Sequence, residues 1–392
     1  MVGGIMEKLR VGLLFGGRSV EHDVSIVSAT CILGELDRER YDVSLIGVDA
    51  KGDWHFVDAD VLESRPQTTL RDVLSEATVF LPASAGSASL RAAIDAGPDL
   101  DNAAYRLDVI FPIIHGRSGE DGSLQGLLES VEIAYVGSGV LSSAVQMDKD
   151  FAKRLLAQAG LPVTPWLTFS NAELEQDGIP AAAERAESEI GLPAYVKPAN
   201  SGSSIGISRA TTMAELVSAI AEARNYDPKV LVEASVDAQE VEVAVLGNGF
   251  PEASVVGEIK ATDSFYDYEA KYHDDATQLV IPADLEPEMS DLLRTIAVAA
   301  YRALGAEGMA RVDFLVDRAT RQIYVNELNS LPGFTNVSMY PKLWEATGLP
   351  YPKLLDRLIE LALERHARQS KLETHAPTNS ETRATPSNRN SA

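Results

Sequence analysis

Two carboxylates towards the end of the 392-residue chain are spaced for metal chemistry. Arg311-Val312-Asp313-Phe314-Leu315-Val316 alternates polar and apolar residues, as does Ile323-Tyr324-Val325-Asn326-Glu327-Leu328-Asn329, and a polar connection joins them, the pattern of a β-hairpin. A turn centred on Thr320 opposes Asp313 to Glu327 and Arg311 to Asn329, and the period of two puts all four on one face. Like charges directly opposite, about 5 Å apart at Cβ, destabilise a sheet; a divalent cation between them removes the conflict. Oxygen donors without His or Cys select a hard ion, Mg²⁺ or Mn²⁺, and Mg²⁺ is commonly held by one or two carboxylates plus substrate phosphates. The alternative is a solvent-facing hairpin carrying ordinary surface charges.

Three further segments could carry chemistry. Lys197-Pro198-Ala199-Asn200-Ser201-Gly202-Ser203-Ser204-Ile205-Gly206-Ile207 sets a lysine at a strand end before a small, polar loop whose backbone N–H groups could cradle phosphates, or which could be a plain turn. The stretch 263–278 holds Phe265, Tyr266, Tyr268, Lys271 and Tyr272, too aromatic for a solvated linker, and reads as a lid or as a loop stapled to the core. His115-Gly116-Arg117-Ser118-Gly119-Glu120-Asp121-Gly122 follows a buried strand, where open α/β sheets place ligands; the histidine could equally be structural.

Composition narrows the chemistry. With 45 % hydrophobic and 23 % charged residues the body should fold. Lys plus Arg total 34 against 58 Asp plus Glu, a net charge of -24, which repels nucleic acid and acidic membrane surfaces while allowing an anionic small ligand where cations gather locally. Cys31 is the single cysteine, so no internal disulfide or Cys-based zinc site can form and a reducing, cytoplasmic home is expected. The apolar run Val109–Ile114 is far short of the roughly 20 residues of a membrane helix, and the N-terminal pattern carries no secretion signal. No Walker phosphate loop and no His-Glu-x-x-His occurs. Gly16-Gly17, Asp49 and Gly137-x-Gly139 imitate a dinucleotide fold without the Gly-x-Gly-x-x-Gly spacing, which leaves a nicotinamide dehydrogenase as a competing reading.

The elements that must position these residues follow from pattern. Leu9–Phe15, Val43–Val48 and Val109–Ile114 read as buried strands and 24–36 as a helix, so residues 1–145 read as a Rossmann-like, open parallel α/β sheet. A helix over Met147–Ala159, stopped by Gly160 and Pro162, begins a second unit of residues 146–240, with strands at Ala194–Lys197 and Val230–Glu233 and a helix over Met213–Ala223. The third unit, residues 241–367, closes with a helix at about Tyr351–Arg365. Residues 368–392, rich in Thr, Ser, Asn and Pro with no aromatic, read as a disordered tail.

In this order the segments resemble the ATP-grasp superfamily, and within it the D-alanine:D-alanine ligase family, over about residues 9–365. The carriers are Gly16-Gly17-Arg18-Ser19-Val20-Glu21 with Val24-Ser25, His115 to Gly122, Met147-Asp148-Lys149, Lys197 to Gly206, Phe265 to Tyr272, and Asn326 to Met339 with Pro332-Gly333. The resemblance implies an α/β fold, α+β in its C-terminal half: an N-terminal parallel sheet followed by two α+β subdomains that clamp ATP. It implies an ATP-dependent ligase joining two D-alanines through a D-alanyl phosphate for peptidoglycan synthesis, in a cytoplasmic homodimer that binds neither nucleic acid nor membrane.

Residue by residue, the resemblance implies that Lys149, Lys197 and Lys271 hold ATP phosphates under the Ser203-Ser204 loop, that Glu233 and the backbone near Val236 meet adenine, and that Glu240 meets the ribose. Asp313, Glu327 and Asn329 would ligate two Mg²⁺. Glu21 would face the ammonium of the first D-alanine with His115 nearby; Ser338 and Met339 would hold the carboxylate of the second. Arg311 and the Gly333 N–H would serve the tetrahedral oxyanion, and Glu21, Ser203 and Tyr272 would link to keep the lid shut. Relatives that use D-lactate carry a histidine where Tyr272 stands, which favours the dipeptide. Ser201 departs from the larger or acidic residue common before Gly-Ser-Ser. The alternatives are a D-alanine:D-lactate or D-serine ligase and a nucleotide-binding regulator without catalysis.

Overall fold

The computed structural model describes residues 7–59, 62, 78–80, 91–92, 106–260 and 278–373. The first sheet holds β1 (Leu9–Gly16), β2 (Tyr41–Val48), β3 (Trp54–Val57), β4 (Thr78–Phe80), β5 (Arg91–Ala92), β6 (Val109–Pro112) and β7 (Ala134–Tyr135), in the order β5-β4-β3-β2-β1-β6-β7. The apolar runs in β1, β2 and β6 pair in parallel, as strands buried on both faces do. The sheet is nevertheless mixed, which corrects the purely parallel expectation: β2, β3, β4 and β5 pair antiparallel. The short connection from Val48 to Trp54 leaves no room for a crossover helix, so β3 can only turn back. Against this sheet lie α1 (His22–Glu35) and α2 (Ser123–Ser130).

The helix expected over Met147–Ala159 is two elements, α3 (Val140–Met147) and α4 (Lys149–Gln158). Asp148 separates them in extended conformation and caps α4, its side chain accepting from the backbone N–H groups of Asp150 and Phe151. An aspartate that satisfies orphan N–H groups starts a helix better than it continues one. The second sheet is all antiparallel, with β8 (Trp166–Ser170), β9 (Ala194–Pro198), β10 (Ser208–Ala210) and β11 (Lys229–Ala234) in the order β10-β9-β11-β8. Its helices are α5 (Asn171–Asp177), α6 (Ile179–Glu189) and α7 (Met213–Ala223); Ser170 with Glu173 and Thr212 with Glu215 form capping boxes on α5 and α7.

The third sheet is also antiparallel: β12 (Ala238–Leu246), β13 (Glu252–Lys260), β14 (Gln278–Val280), β15 (Met309–Asp317) and β16 (Ile323–Asn329), ordered β14-β13-β12-β15-β16. One face packs on α8 (Pro287–Ala303) and α4, around Val243, Tyr301 and Phe314. The other packs on α9 (Met339–Thr347) and α10 (Tyr351–Gln369), in a core continuous with the first sheet through Phe111 and Phe334, whose rings meet edge to face at 5.9 Å. This shared core fixes the last hairpin and its following loop against the C-terminal ends of β1 and β6. The final helix runs to Gln369, past the expected start of the tail; near its end Arg365 donates to the Gly137 and Tyr135 carbonyls and Arg368 pairs with Glu307. The expected tail beyond residue 373 lies outside the described residues.

Candidate active site

The hairpin register sets the acids. Asp313 pairs with Glu327 and Arg311 with Asn329, but the next pair is Phe314 with Val325, so Asn326 is an inserted, bulged residue. The turn is therefore not centred on Thr320; the bulge restores the expected pairing at the site. It also switches faces. Ile323 and Val325 pack into the apolar core with Phe314, whereas Glu327 and Asn329, which share their parity, line a cavity on the other side. Re-aiming a side chain beside an active site is a recurrent use of such bulges.

The charge conflict is met by cations of the chain. Arg311 is half-buried and grips Asp313 with two hydrogen bonds of 2.7 Å, while its Nε lies 3.0 Å from Glu242. Asn329 Nδ2 donates to Asp313 at 2.9 Å, and Lys149 Nζ lies 3.3 Å from Glu327. Arg311 and Lys149 thus supply locally the neutralisation that the opposed acids were expected to draw from a metal alone. Two carboxylates and an amide, all oxygen donors, still suit a hard divalent cation. Among the described residues no three or more His, Cys, Asp or Glu are grouped so that they alone could hold a metal ion.

Lys149 is the first residue of α4; its backbone N–H bonds the Ala199 carbonyl and its ammonium the Ser201 carbonyl at 2.8 Å, so it ties the Ser-rich loop to Glu327. In that loop Ser203 and Ser204 adopt left-handed φ of 48° and 59°. Ser203 Oγ donates to Glu21, the residue that opens α1. Glu21 is overlain by Gly116 and Gly202, where a Cβ would sit 3.0 Å from its Oε2; glycine at both positions lets two backbones close over one carboxylate.

His115 Nδ1 bonds the Leu331 carbonyl at 3.0 Å and Nε2 faces Ser28 Oγ at 3.4 Å. Burial pushes the imidazole below its ordinary range, against the pull of Glu21. Glu120 accepts from the backbone N–H groups of Gly116 (2.7 Å) and Leu331 (3.0 Å), and burial, with the charge of Glu21, pushes its carboxyl up to about 8. Ser338, N-cap of α9, takes the Thr335 N–H at 2.9 Å, and Met339 follows as the first residue of the helix.

One cavity collects Glu21, His115, Lys149, Ser203, Ser204, Arg311, Glu327, Asn329, Gly333, Ser338 and Met339. Asp313, Lys197, Glu233, Val236 and Glu240 do not line it. Lys197 and Lys153 sandwich the Glu233 carboxylate, Lys153 Nζ at 2.9 Å. Burial alone would raise that carboxyl, but the two lysines outweigh it and hold Glu233 at about 2. Glu240 is exposed and Val236 half-buried. Lys271 and Tyr272 lie outside the described residues. Sequence reasoning missed Lys153, Glu242, Ser28 and the role of Glu120. Lys153, four residues after Lys149 on one helix face, and Glu120, inside a segment already singled out, had visible signals.

The N-terminal mixed sheet and two antiparallel sheets closing over this cavity define the architecture of an ATP-grasp enzyme. Residues 10–138 match the family described as D-ala D-ala ligase N-terminus and residues 155–360 the one described as D-ala D-ala ligase C-terminus. D-alanine–D-alanine ligase A of Escherichia coli is 47 % identical over 372 residues, 94 % of this chain and 100 % of that protein; the ligase of Shouchella clausii is 46 % identical over 373 residues, 94 % and 98 % respectively. The solved D-alanine-D-alanine ligase of Coxiella burnetii superposes with a TM-score of 0.80 at 36 % identity, covering 93 % of this chain and 97 % of that one. The chain belongs to the D-alanine–D-alanine ligase family.

Proposed function

We propose that this chain joins two D-alanines into D-alanyl-D-alanine for peptidoglycan synthesis, consuming ATP and releasing ADP and phosphate. The observation that carries this reading is the single cavity in which Lys149 and the Ser203-Ser204 loop, Glu327 and Asn329, and the Gly333–Met339 loop face one another. A carboxylate is a poor electrophile. The first D-alanine therefore attacks the γ-phosphate to become an acyl phosphate, and the amine of the second displaces phosphate through a tetrahedral oxyanion.

Each residue has a task in that sequence. Lys149, Lys197, Lys271 and Ser204 hold phosphates; Glu233 and the backbone near Val236 meet adenine, and Glu240 the ribose. Since Glu233 grips Lys197, nucleotide entry exchanges that contact for phosphate, whereas Lys153, 2 % exposed, stays with the carboxylate. Asp313, Glu327 and Asn329 would hold two Mg²⁺ or Mn²⁺, which when bound offset the charge gathering on the triphosphate. Glu21, with His115 nearby, takes the ammonium of the first D-alanine. Ser338 and the backbone of Met339, at a helix N-terminus that favours anions, take the carboxylate of the second. Arg311, held flat by Asp313, and the Gly333 N–H meet the oxyanion. Ser203 on Glu21, joined by Tyr272, keeps the loop shut so that water does not hydrolyse the acyl phosphate.

We place the units at residues 1–145, 146–240 and 241–367, and the enzyme in the cytoplasm as a homodimer; no helix among the described residues is long and apolar enough to cross a membrane. The test is a product assay with ATP, Mg²⁺ and D-alanine, alone and with D-lactate or D-serine. The dipeptide should form with one ADP and one phosphate per bond. D-alanine-independent ATP consumption, or a mixed product in excess, overturns the reading.

A further inference from the structure

Residues 331–334 carry Gly333 between two anchored ends. Glu120 accepts the Leu331 N–H, and His115 Nδ1 bonds the Leu331 carbonyl. Beyond Gly333, the Phe334 N–H donates to Ser28 Oγ at 3.3 Å and the Phe334 carbonyl accepts from Tyr351 Oη at 2.6 Å. Ser28 and His115 also touch each other at 3.4 Å. Donor and acceptor roles leave one consistent arrangement. A carbonyl only accepts, so Nδ1 carries the proton at Leu331; a neutral ring then accepts at Nε2, which the Ser28 O–H supplies; and the Ser28 oxygen receives the Phe334 N–H. One fully buried hydroxyl on α1 therefore holds both the His115 ring, at Nε2, and the peptide that follows Gly333, linking positions 306 residues apart.

We infer that Ser28 is a positioning residue for the ligation step, acting through His115 and Phe334 to aim the Gly333 amide at the tetrahedral oxyanion. Ser28 does not line the cavity; its hydroxyl meets His115 and Phe334, and it acts through them. Pro332 restricts the chain on one side, and on the other a Cβ at Gly333 would lie 2.7 Å from Ser338 Oγ, so the amide is set by backbone anchoring and not by a side chain of its own. Removing the Ser28 hydroxyl leaves the buried Phe334 N–H without its acceptor and His115 Nε2 without its donor, and the loop between them gains freedom.

The inference rests on the assignment of Gly333 as oxyanion donor, and its test separates the two. Wild type and Ser28→Ala are titrated with ADP and with a phosphinate analogue of D-alanyl-D-alanine, whose tetrahedral phosphorus bears the oxyanion, and kcat and KM are measured for ATP. Misplacement on the ångström scale predicts phosphinate affinity and kcat lower by about 10- to 100-fold, with ADP affinity and the KM for ATP within about twofold. Should Ser28→Ala not fold, Ser28→Cys, which keeps only a weak donor and acceptor at that atom, is held to the same split. Phosphinate binding and kcat within about twofold of wild type overturn the inference, as does an equal loss of ADP and phosphinate. If wild type itself neither binds the phosphinate nor forms the dipeptide, it is the assignment of Gly333 that fails.

Discussion

Asp313 faces Glu327 because the ladder between β15 and β16 slips by one residue at Asn326. The slip lets one strand feed Val325 into the apolar core and present Glu327 to the cavity two residues later.

Glu327→Gln should lower kcat by about 100-fold or more, on the scale seen when one charge-stabilising group is removed from a preorganised site, with a melting midpoint within a few degrees of wild type.

Lys153→Met should destabilise the protein by about 3–5 kcal/mol, the range for removing one partner of a buried ion pair, because Glu233 would keep only Lys197. Urea unfolding at neutral pH reads this directly. The Glu233 carboxyl sits at about 2 in the fold, its burial outweighed by Lys153 and Lys197, against about 4.3 when unfolded. The unfolded chain binds the extra proton, so this contribution is complete above about pH 4.3 and is lost as pH falls towards 2. That acid limb should shrink in the variant.

Glu120 should act in the opposite sense. Burial, then the charge of Glu21, raise it to about 8, so between about pH 4.3 and 8 the folded state holds a proton that the unfolded chain has released, and stability declines as pH rises through that window. Glu120→Gln should flatten this limb. It should also cost about 1–3 kcal/mol, because an amide oxygen can serve only one of the two backbone N–H groups of Gly116 and Leu331. Urea midpoints from pH 5 to 8.5 give the comparison.

Ser203→Ala should uncouple the reaction. Without the Glu21 link, the loop loses a tie that spans 182 residues and holds two serines at left-handed φ. Water then reaches the acyl phosphate. The ratio of dipeptide formed to ATP consumed should drop well below the wild-type value; an unchanged ratio would remove Ser203 from lid closure.

Local pattern carried much of this. Alternation marked the hairpin, apolar runs marked β1, β2 and β6, and the helix over Met213–Ala223 was legible to its ends. The pairing of Asp313 with Glu327 was legible as well, yet through two offsetting features, a turn displaced from Thr320 and a bulge, that alternation does not register. Asp148 looked helical because propensity is scored without asking which N–H groups its carboxylate could cap. Ser28 was opaque for another reason. Its partners His115 and Phe334 lie 87 and 306 residues away, and a buried serine on an apolar helix face looks like filler until the loop it holds is in place. Composition likewise gave no warning that Arg311 and Lys149 would share the neutralisation of the acids.

The most direct test of the account is a Mn²⁺ titration followed by electron paramagnetic resonance, in the presence of ADP, for wild type, Asp313→Asn and Glu327→Gln. Two Mn²⁺ should bind per chain in wild type, with at least one lost in each variant while ADP still binds. Equal stoichiometry and affinity in all three proteins would contradict a metal site between the opposed acids.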